Sequence, residues 1–375
     1  MYDVIIAGAG PAGSAAARTG AKLGLNTLVI EKESFPRYKP CGGALSERAL
    51  SYLGFSLPGS ICERNITGAR MHYHGNVVDI QKDYRIITLV TRSAFDHLML
   101  EKALDAGAQA IMGVKVKGYK EKDDSVEVYT NEGTYISRYL IIASGCQDML
   151  KETVRGHDRN DQYGACMVAD VPEDDSKIEE RTRSTIDIHF GVVSTGYGWI
   201  FPHRGYYSVG IGGIASRLKH PKKTMINFLR TNGFSGDYKL RGHLIPFEGM
   251  ERRISSKRVF LAGDSAGFVD AFTGEGISYA VRSGQIASEI IADDLPQEGI
   301  PSEYNARCNA DFGAELKYAL LFAKTVHSRP ELFLKLLTSQ EQFIDKYVEV
   351  IASRGTYKSY IRWLMPRIPM SLLSL

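Results

Sequence analysis

With 375 residues, 44% of them hydrophobic and 24% charged, the chain is long enough to bury a sizeable core spread over two or three subdomains. Its 46 basic and 43 acidic residues nearly balance, leaving a formal charge of +3, which argues against a nucleic-acid partner. The five cysteines (Cys41, Cys62, Cys146, Cys166, Cys308) are scattered, odd in number and without CxxC spacing, which argues against a disulfide framework or a metal site and favours a reducing cytoplasm.

Tyr2 to Ala7 is a short apolar run of the kind that forms a buried parallel strand. Asp3 interrupts it and a glycine fingerprint follows at once, so the start does not read as a signal peptide. Gly8-Ala-Gly10-Pro-Ala12-Gly13 leads into an Ala-rich helix to about Leu23, and Asn26 to Glu31 reads as the next strand. In such a unit Gly8 permits the tight turn, Gly10 lets the backbone approach a pyrophosphate, and Gly13 allows close helix–strand packing. The helix N-terminus, with Ala12 in its first turn, then faces the phosphates, and Glu31, 23 residues after Gly8, is placed to accept hydrogen bonds from an adenosine ribose. From Asn65 to Ile87 the pattern is β-like, with Ala69 to Ile80 suggesting an antiparallel hairpin on which His72 and His74 could share a face.

A helix starts at Thr91-Arg92, followed by strands over Ala110 to Tyr119 and Val126 to Tyr129, and by a buried parallel strand over Tyr139 to Gly145. Residues 164–213 are β-rich without clear helical periodicity. A further nucleotide-domain strand is expected from Arg258 to Asp264, then a helix from about Ile277 to Asp293, and after Pro296 the pattern is helical. The expected fold is α/β: a Rossmann-type domain formed by residues 1–64, 89–160 and 250–296, interrupted by a β-rich substrate domain of residues 65–88 and 161–249, with a C-terminal helical region at 297–375. No apolar run reaches the roughly 18 residues that would suggest a spanning helix.

Two further patterns carry chemistry. Ala262-Gly-Asp264 ends a strand, and Thr273-Gly-Glu-Gly276-Ile277 opens a helix soon after. A carboxylate at a strand end can hold the ribityl hydroxyls of a flavin, and a second helix N-terminus favours negative charge on its reduced ring. GxGxxG paired with a distant AGD…GxG makes FAD the expected cofactor. The second pattern is Tyr197-Gly-Trp199-Ile-Phe201-Pro202, followed by Gly210-Ile-Gly212. In a strand, Tyr197, Trp199 and Phe201 share one face and form an aromatic wall suited to a long apolar chain.

Together with the loop Tyr38-Lys-Pro-Cys41-Gly42-Gly43-Ala44, these segments resemble the geranylgeranyl reductases, flavoenzymes of the p-hydroxybenzoate hydroxylase-like fold that saturate isoprenoid double bonds, and among them the archaeal digeranylgeranylglycerophospholipid reductases. The resemblance runs from Met1 to about Ile290 and more loosely through the tail. It implies cofactor contacts from Gly13, Glu31, Cys41, Gly42, Ala44, Arg92, Val116 (a backbone contact to adenine), Asp264, Gly276 and Ile277, and a substrate wall of Tyr197, Trp199 and Phe201. The implied reaction is FAD-dependent reduction of a CH–CH bond, with hydride from flavin N5 and a proton from a second group. Cys41 and Tyr38 are candidates for that group by family position. An archaeal ether lipid is the favoured substrate; geranylgeranyl diphosphate, chlorophyll precursors and menaquinone side chains are alternatives, as is a flavin monooxygenase or halogenase of the same fold. The electron donor, ferredoxin or NAD(P)H, is left open. Ala143-Ser-Gly145 stands where many hydroxylase relatives have Ala-Asp-Gly, which puts direct reduction by NADPH in doubt, and Pro-Cys-Gly-Gly-Ala departs from the Cys-Gly-Glu-Gly form of many archaeal lipid reductases.

After Glu349 the chain carries Arg354, Lys358, Arg362 and Arg367 interleaved with Tyr357, Tyr360, Trp363 and Leu364, and no acid. This tail either packs on the cofactor domain with its charges solvated or makes peripheral contact with the cytoplasmic membrane face.

Overall fold

The computed structural model describes residues 1–294 and 302–368. Its first sheet has seven strands. Gln109–Met112, Thr27–Glu31, Tyr2–Ala7 and Thr134–Ile142 run parallel in that order. The C-terminal half of Thr134–Ile142 also pairs in parallel with Val259–Leu261, while its N-terminal half continues antiparallel into Val126–Thr130 and then Val116–Glu121. The parallel strands are buried on both faces and so are apolar on both, and helices pack against them. On one of these helices, Pro11–Lys22, Ala12, Ala16 and Ala17 join the strands' core, and it lies directly against Ile277–Asp294. Gly284 lets those two helices touch, since a Cβ there would stand 2.1 Å from the Ala12 carbonyl.

The second sheet also has seven strands, in the order Arg241–Pro246, Tyr163–Pro172, Tyr206–Ile214, Gly196–Pro202, Thr185–Phe190, Gly68–Tyr73 and Asn76–Gln81. All neighbours are antiparallel except Thr185–Phe190 with Gly68–Tyr73. A small sheet of Ala44–Ser46, Ile87–Val90 and Cys62–Ile66 joins the loop of residues 37–44 to the rest.

Four sequence expectations change. The single strand read over Ala110 to Tyr119 is two strands on opposite edges of the first sheet, because Gly113 at φ 77° turns the chain between them. A helix, Asp175–Thr182, lies inside the stretch read as β-rich; only Ile178 and Thr182 are buried on it, so it has no apolar stripe to announce it. His72 and His74 do not share a strand face: His74 sits in the hairpin turn at φ 47°, and His72 stacks on His189 with ring centroids 4.1 Å apart. Lastly, of the two readings of the tail the structure shows packing, but against the second sheet rather than the cofactor domain.

Helices Ala314–Ser328, Pro330–Ser339, Glu341–Ile351 and Tyr357–Leu364 lay their apolar faces on the second sheet, in one core with Trp199 and Phe201. Tyr357, Tyr360 and Leu364 are at most 3% exposed, which removes them from any bilayer-facing surface; the last residues of the tail, 369–375, lie outside the described residues. Among the described residues no helix is long and apolar enough to cross a membrane.

Candidate functional site

Tertiary packing gathers the cofactor and substrate candidates, except Gly8 and Gly13, around one cavity of about 1340 Å³, lined by both seven-stranded sheets, the loop of residues 37–44 and the helical tail. That exceeds the roughly 300–1,000 Å³ of an ordinary small-molecule site.

At one end the glycine fingerprint meets the cavity. Gly10 precedes the helix Pro11–Lys22 with no side-chain cap and no acid in the first turn, so the leading N–H groups and positive dipole end remain available to an anion. A Cβ at Gly13 would stand 1.8 Å from the Gly8 carbonyl oxygen, so only hydrogen fits there; Gly8 itself is at φ 103°. Glu31 is fixed at its strand end by accepting from the N–H groups of Ala9 at 2.7 Å and Glu33 at 3.0 Å. Val116 opens its strand on the same lining.

Arg92 donates to Asp96 through Nε at 2.7 Å and Nη2 at 2.9 Å, and Arg37 reaches the same carboxylate at 3.1 Å. Burial works against the Arg92 charge, but Asp96 and then Cys41 outweigh it and hold the guanidinium above its ordinary pKa. Two cations thus share one buried anion beside Gly10, which leaves a net positive charge; a Cβ on Gly10 would lie 3.8 Å from Arg37 Nη2. Arg37 Nη1 and Ser144 Oγ are buried without a hydrogen-bond partner among the described residues, and both residues line the cavity.

The middle of the cavity is formed by the second glycine-rich turn. Asp264 Oδ2 lies 3.9 Å from His243 Nε2, and the same nitrogen is 2.9 Å from Lys39 Nζ. Burial pushes Asp264 upward, but His243 and Lys39 outweigh it, so the carboxyl stays below its usual range. Burial lowers both Lys39 and His243 despite Asp264 beside them. Gly276 brings the start of the helix at Ile277 against this carboxylate, 3.5 Å from Asp264 Oδ1 to a would-be Cβ. Glu275 accepts from Ser46, tying this turn to the strand that begins at Ala44.

Beyond it the lining becomes apolar. Tyr197, Trp199 and Phe201 form a continuous stripe with ring centroids 6.1 and 6.3 Å apart. The glycines that follow in sequence make room for it. Trp199 is paired in register with Gly210, where a Cβ would lie 2.1 Å from the indole Cζ2. From the other side Gly42 lies against the stripe, 2.9 Å from Phe201 and 3.4 Å from Trp199 Nε1 to a would-be Cβ. Cys41, whose sulfur accepts from the Gly43 N–H at 3.4 Å, is half-buried in the same loop. Tyr38 is 43% exposed, with the Arg241 guanidinium 4.0 Å over its ring. Burial, and Asp170 beside it, raise the Tyr38 phenol. Tyr197 donates to the Thr273 carbonyl, and Trp199 Nε1 has no hydrogen-bond partner among the described residues.

Sequence reasoning missed His243, Ser144, Asp270, Tyr347 and Tyr357, all on the cavity wall. Asp270 lies between the AGD and GEG patterns and was findable from that spacing. The two tail tyrosines carried no local signal of where they would dock.

Two family models match the chain: FAD dependent oxidoreductase over residues 3–171, and tryptophan halogenase over residues 89–358. Among curated relatives, a menaquinone reductase of Mycobacterium tuberculosis is 30% identical over 351 residues, covering 85% of this chain and 83% of that protein. Digeranylgeranylglycerophospholipid reductase 3 of Methanosphaera stadtmanae is 27% identical over 396 residues, covering 100% and 97%. The chain belongs to the geranylgeranyl reductase family. A geranylgeranyl bacteriochlorophyll reductase-like structure from Thermoplasma acidophilum shares its fold at a TM-score of 0.79 and 20% identity, covering 98% of this chain and 99% of that one.

The family member described here is an FAD-dependent oxidoreductase, and its cavity fits the cofactor. Unpaired donors of Arg37 and Ser144 and an uncapped helix N-terminus suit two phosphates, while Glu31 and Asp264 supply acceptors for sugar and ribityl hydroxyls.

Proposed function

We propose that this flavoprotein saturates alkenes of geranylgeranyl-type chains, with an ether-linked glycerophospholipid as the favoured carrier. The observation that carries the reading is the apolar lobe walled by Tyr197, Trp199 and Phe201 and continuous with the dinucleotide end of the same cavity. In this reading Gly8, Gly10, Ala12, Gly13, Arg37 and Arg92 hold the pyrophosphate; Glu31 and Val116 hold the adenosine end; Asp264, Gly276 and Ile277 hold the ribityl chain and ring; and Cys41, Gly42 and Ala44 lie along the ring. Bound and reduced, FAD supplies hydride to one carbon of the alkene. The aromatic stripe aligns the chain and excludes water, which an unactivated alkene requires because it is a poor hydride acceptor. The name of one relative supports this substrate class, a digeranylgeranyl glycerophospholipid, while that of the menaquinone reductase supports the alternative of a menaquinone side chain.

Anaerobic incubation of dithionite-reduced holoenzyme with geranylgeranyl diphosphate and with a digeranylgeranyl glycerophospholipid, followed by mass spectrometry, tests this. Mass gains in steps of two hydrogens support the reading, and unchanged lipids defeat it. Substituting ferredoxin or NADPH for dithionite reports the donor. The match to the halogenase model over residues 89–358 favours one second reading, oxygen-dependent halogenation or hydroxylation. Turnover that needs oxygen and yields no saturated chain would establish it.

A further inference from the structure

Reduction of an alkene needs a proton as well as a hydride, and the cavity wall holds a carboxyl suited to give one. Asp270 lies in the loop between Asp264 and the helix at Ile277, is 3% exposed, and lines the cavity with Phe272, Tyr347 and Tyr357. Its Oδ1 accepts from the N–H groups of Phe272 at 2.8 Å and Thr273 at 2.9 Å. The groups that act on it most are those two N–H groups, the Tyr357 hydroxyl and Glu275. Burial, with Glu275 adding to it, raises the carboxyl above its ordinary range, against the partial opposition of the N–H groups and Tyr357. A carboxyl in such surroundings keeps its proton further toward neutral pH than an exposed one. The Tyr357 hydroxyl also lies 3.1 Å from that of Tyr347, and these two rings are 2% and 5% exposed.

We propose that Asp270 is the general acid of this enzyme, giving its proton to the alkene from the wall of the aromatic lobe, with the Tyr357 and Tyr347 hydroxyls beside it. The proposal rests on the prenyl-reductase reading above. In the step, the π pair of a trisubstituted alkene forms a C–H bond to the Asp270 proton at the less substituted carbon, and the Asp270 O–H pair stays on oxygen. The tertiary carbon, left short of an electron pair, takes the hydride that reduced FAD supplies, so the alkene gains two electrons and the cofactor loses two. The geometry serves both partners of the transfer. The Phe272 and Thr273 N–H groups stabilise the carboxylate that remains, and the ring faces of Tyr197, Trp199 and Phe201 suit positive charge on the tertiary carbon. The other titratable groups facing Asp270 are Glu275 in its own loop, Tyr197, Tyr279, Tyr347 and Tyr357, with Arg48 and Glu315 acting on Tyr279 behind them.

Asp270→Asn keeps the Oδ1 acceptor that holds the turn and removes the acid. The holoenzyme should retain FAD as the wild type does, while single-turnover reduction of geranylgeranyl diphosphate falls by about 10²-fold or more. In parallel, infrared spectra of the wild-type holoenzyme at neutral pH should show a protonated-carboxyl C=O band that the Asn variant lacks. Tyr357→Phe, which leaves the acid in place, should retain the band with a shifted frequency and lose less activity than Asp270→Asn. Should Asp270→Asn lose FAD, the band in the wild type and its shift in Tyr357→Phe decide the matter: an unshifted spectrum overturns the proposal. A variant that keeps FAD and reduces the substrate within about threefold of wild type, far inside the range of a lost general acid, also overturns it. Wild-type protein that reduces no prenyl chain removes the reductase reading and this proposal together, whereas an active wild type with an unimpaired Asp270→Asn removes this proposal alone.

Discussion

Gly210→Ala would place a methyl group where the indole of Trp199 lies. The two residues are register partners on adjacent strands, and a Cβ at 210 would stand 2.1 Å from Cζ2 and 2.5 Å from both Cε2 and Cη2. The ring is 7% exposed, with Gly42 of the loop of residues 37–44 against its Nε1 edge and Cys166 and Gly212 near its other end, so it can retreat only into the cavity it lines. Overpacking of this kind costs about 1–3 kcal/mol, and removing a strand glycine returns about 0.5–1 kcal/mol, so a net loss of up to about 2.5 kcal/mol, centred on about 1.3 kcal/mol, is expected. In a protein of 375 residues, at about 2.1 cal/mol/K of unfolding entropy per residue, that corresponds to a fall in Tm of about 1.3 °C per kcal/mol. A thermal scan of the holoenzyme, read with tryptophan emission and flavin absorbance, measures both stability and ring position. The companion Gly210→Ala/Trp199→Phe should recover part of the stability without recovering alkene reduction, because the smaller ring fits above the methyl but no longer completes the wall. Wild-type Tm and emission in the single variant would refute the placement of Trp199 against Gly210, and with it the account of the GxG spacing.

Gly13→Ala should yield protein without flavin absorbance, since its Cβ would stand 1.8 Å from the Gly8 carbonyl and force the phosphate turn apart; a fully yellow variant would contradict the turn geometry. Arg92→Met leaves the fully buried Asp96 with Arg37 alone, so the urea midpoint of the apoprotein should fall by part of the about 3–5 kcal/mol that a buried charge left wholly unpaired costs, and an unchanged midpoint would show the pair to be dispensable. Burial, and then the stacked ring of His72, lower the His189 pKa to about 4 from an ordinary value near 6.5. The unfolded chain therefore binds the extra proton first: the stability this neutral imidazole contributes is complete above about pH 6.5 and is lost as pH falls toward about 4. Urea midpoints followed across that window should decline more steeply in the wild type than in His189→Phe, and parallel curves would contradict the assignment.

Much of the site was legible because its signals are contiguous. Glycines at fixed offsets, a carboxylate at a strand end and a period-two aromatic stripe each report a local backbone requirement, and local requirements survive in any tertiary setting. The same locality explains the failures. The helix Asp175–Thr182 buries two side chains and leaves no stripe, and Gly113 splits a strand with nothing but a turn.

The sequence by itself determined the dinucleotide unit, the cofactor loop and the aromatic wall, since each is specified by residues within a few positions of one another. Only the tertiary structure decided what meets what. It set Lys39 against His243 across 204 positions, and it brought Asp270 to face Tyr347 and Tyr357 of the tail. It also turned an apparently interfacial run of basic residues and aromatics into the lid of an apolar lobe. The tail's amphipathic pattern says that one face must be buried, but whether lipid or protein buries it depends on the shape and apolarity of the surface it meets; here that surface is the core it shares with Trp199 and Phe201.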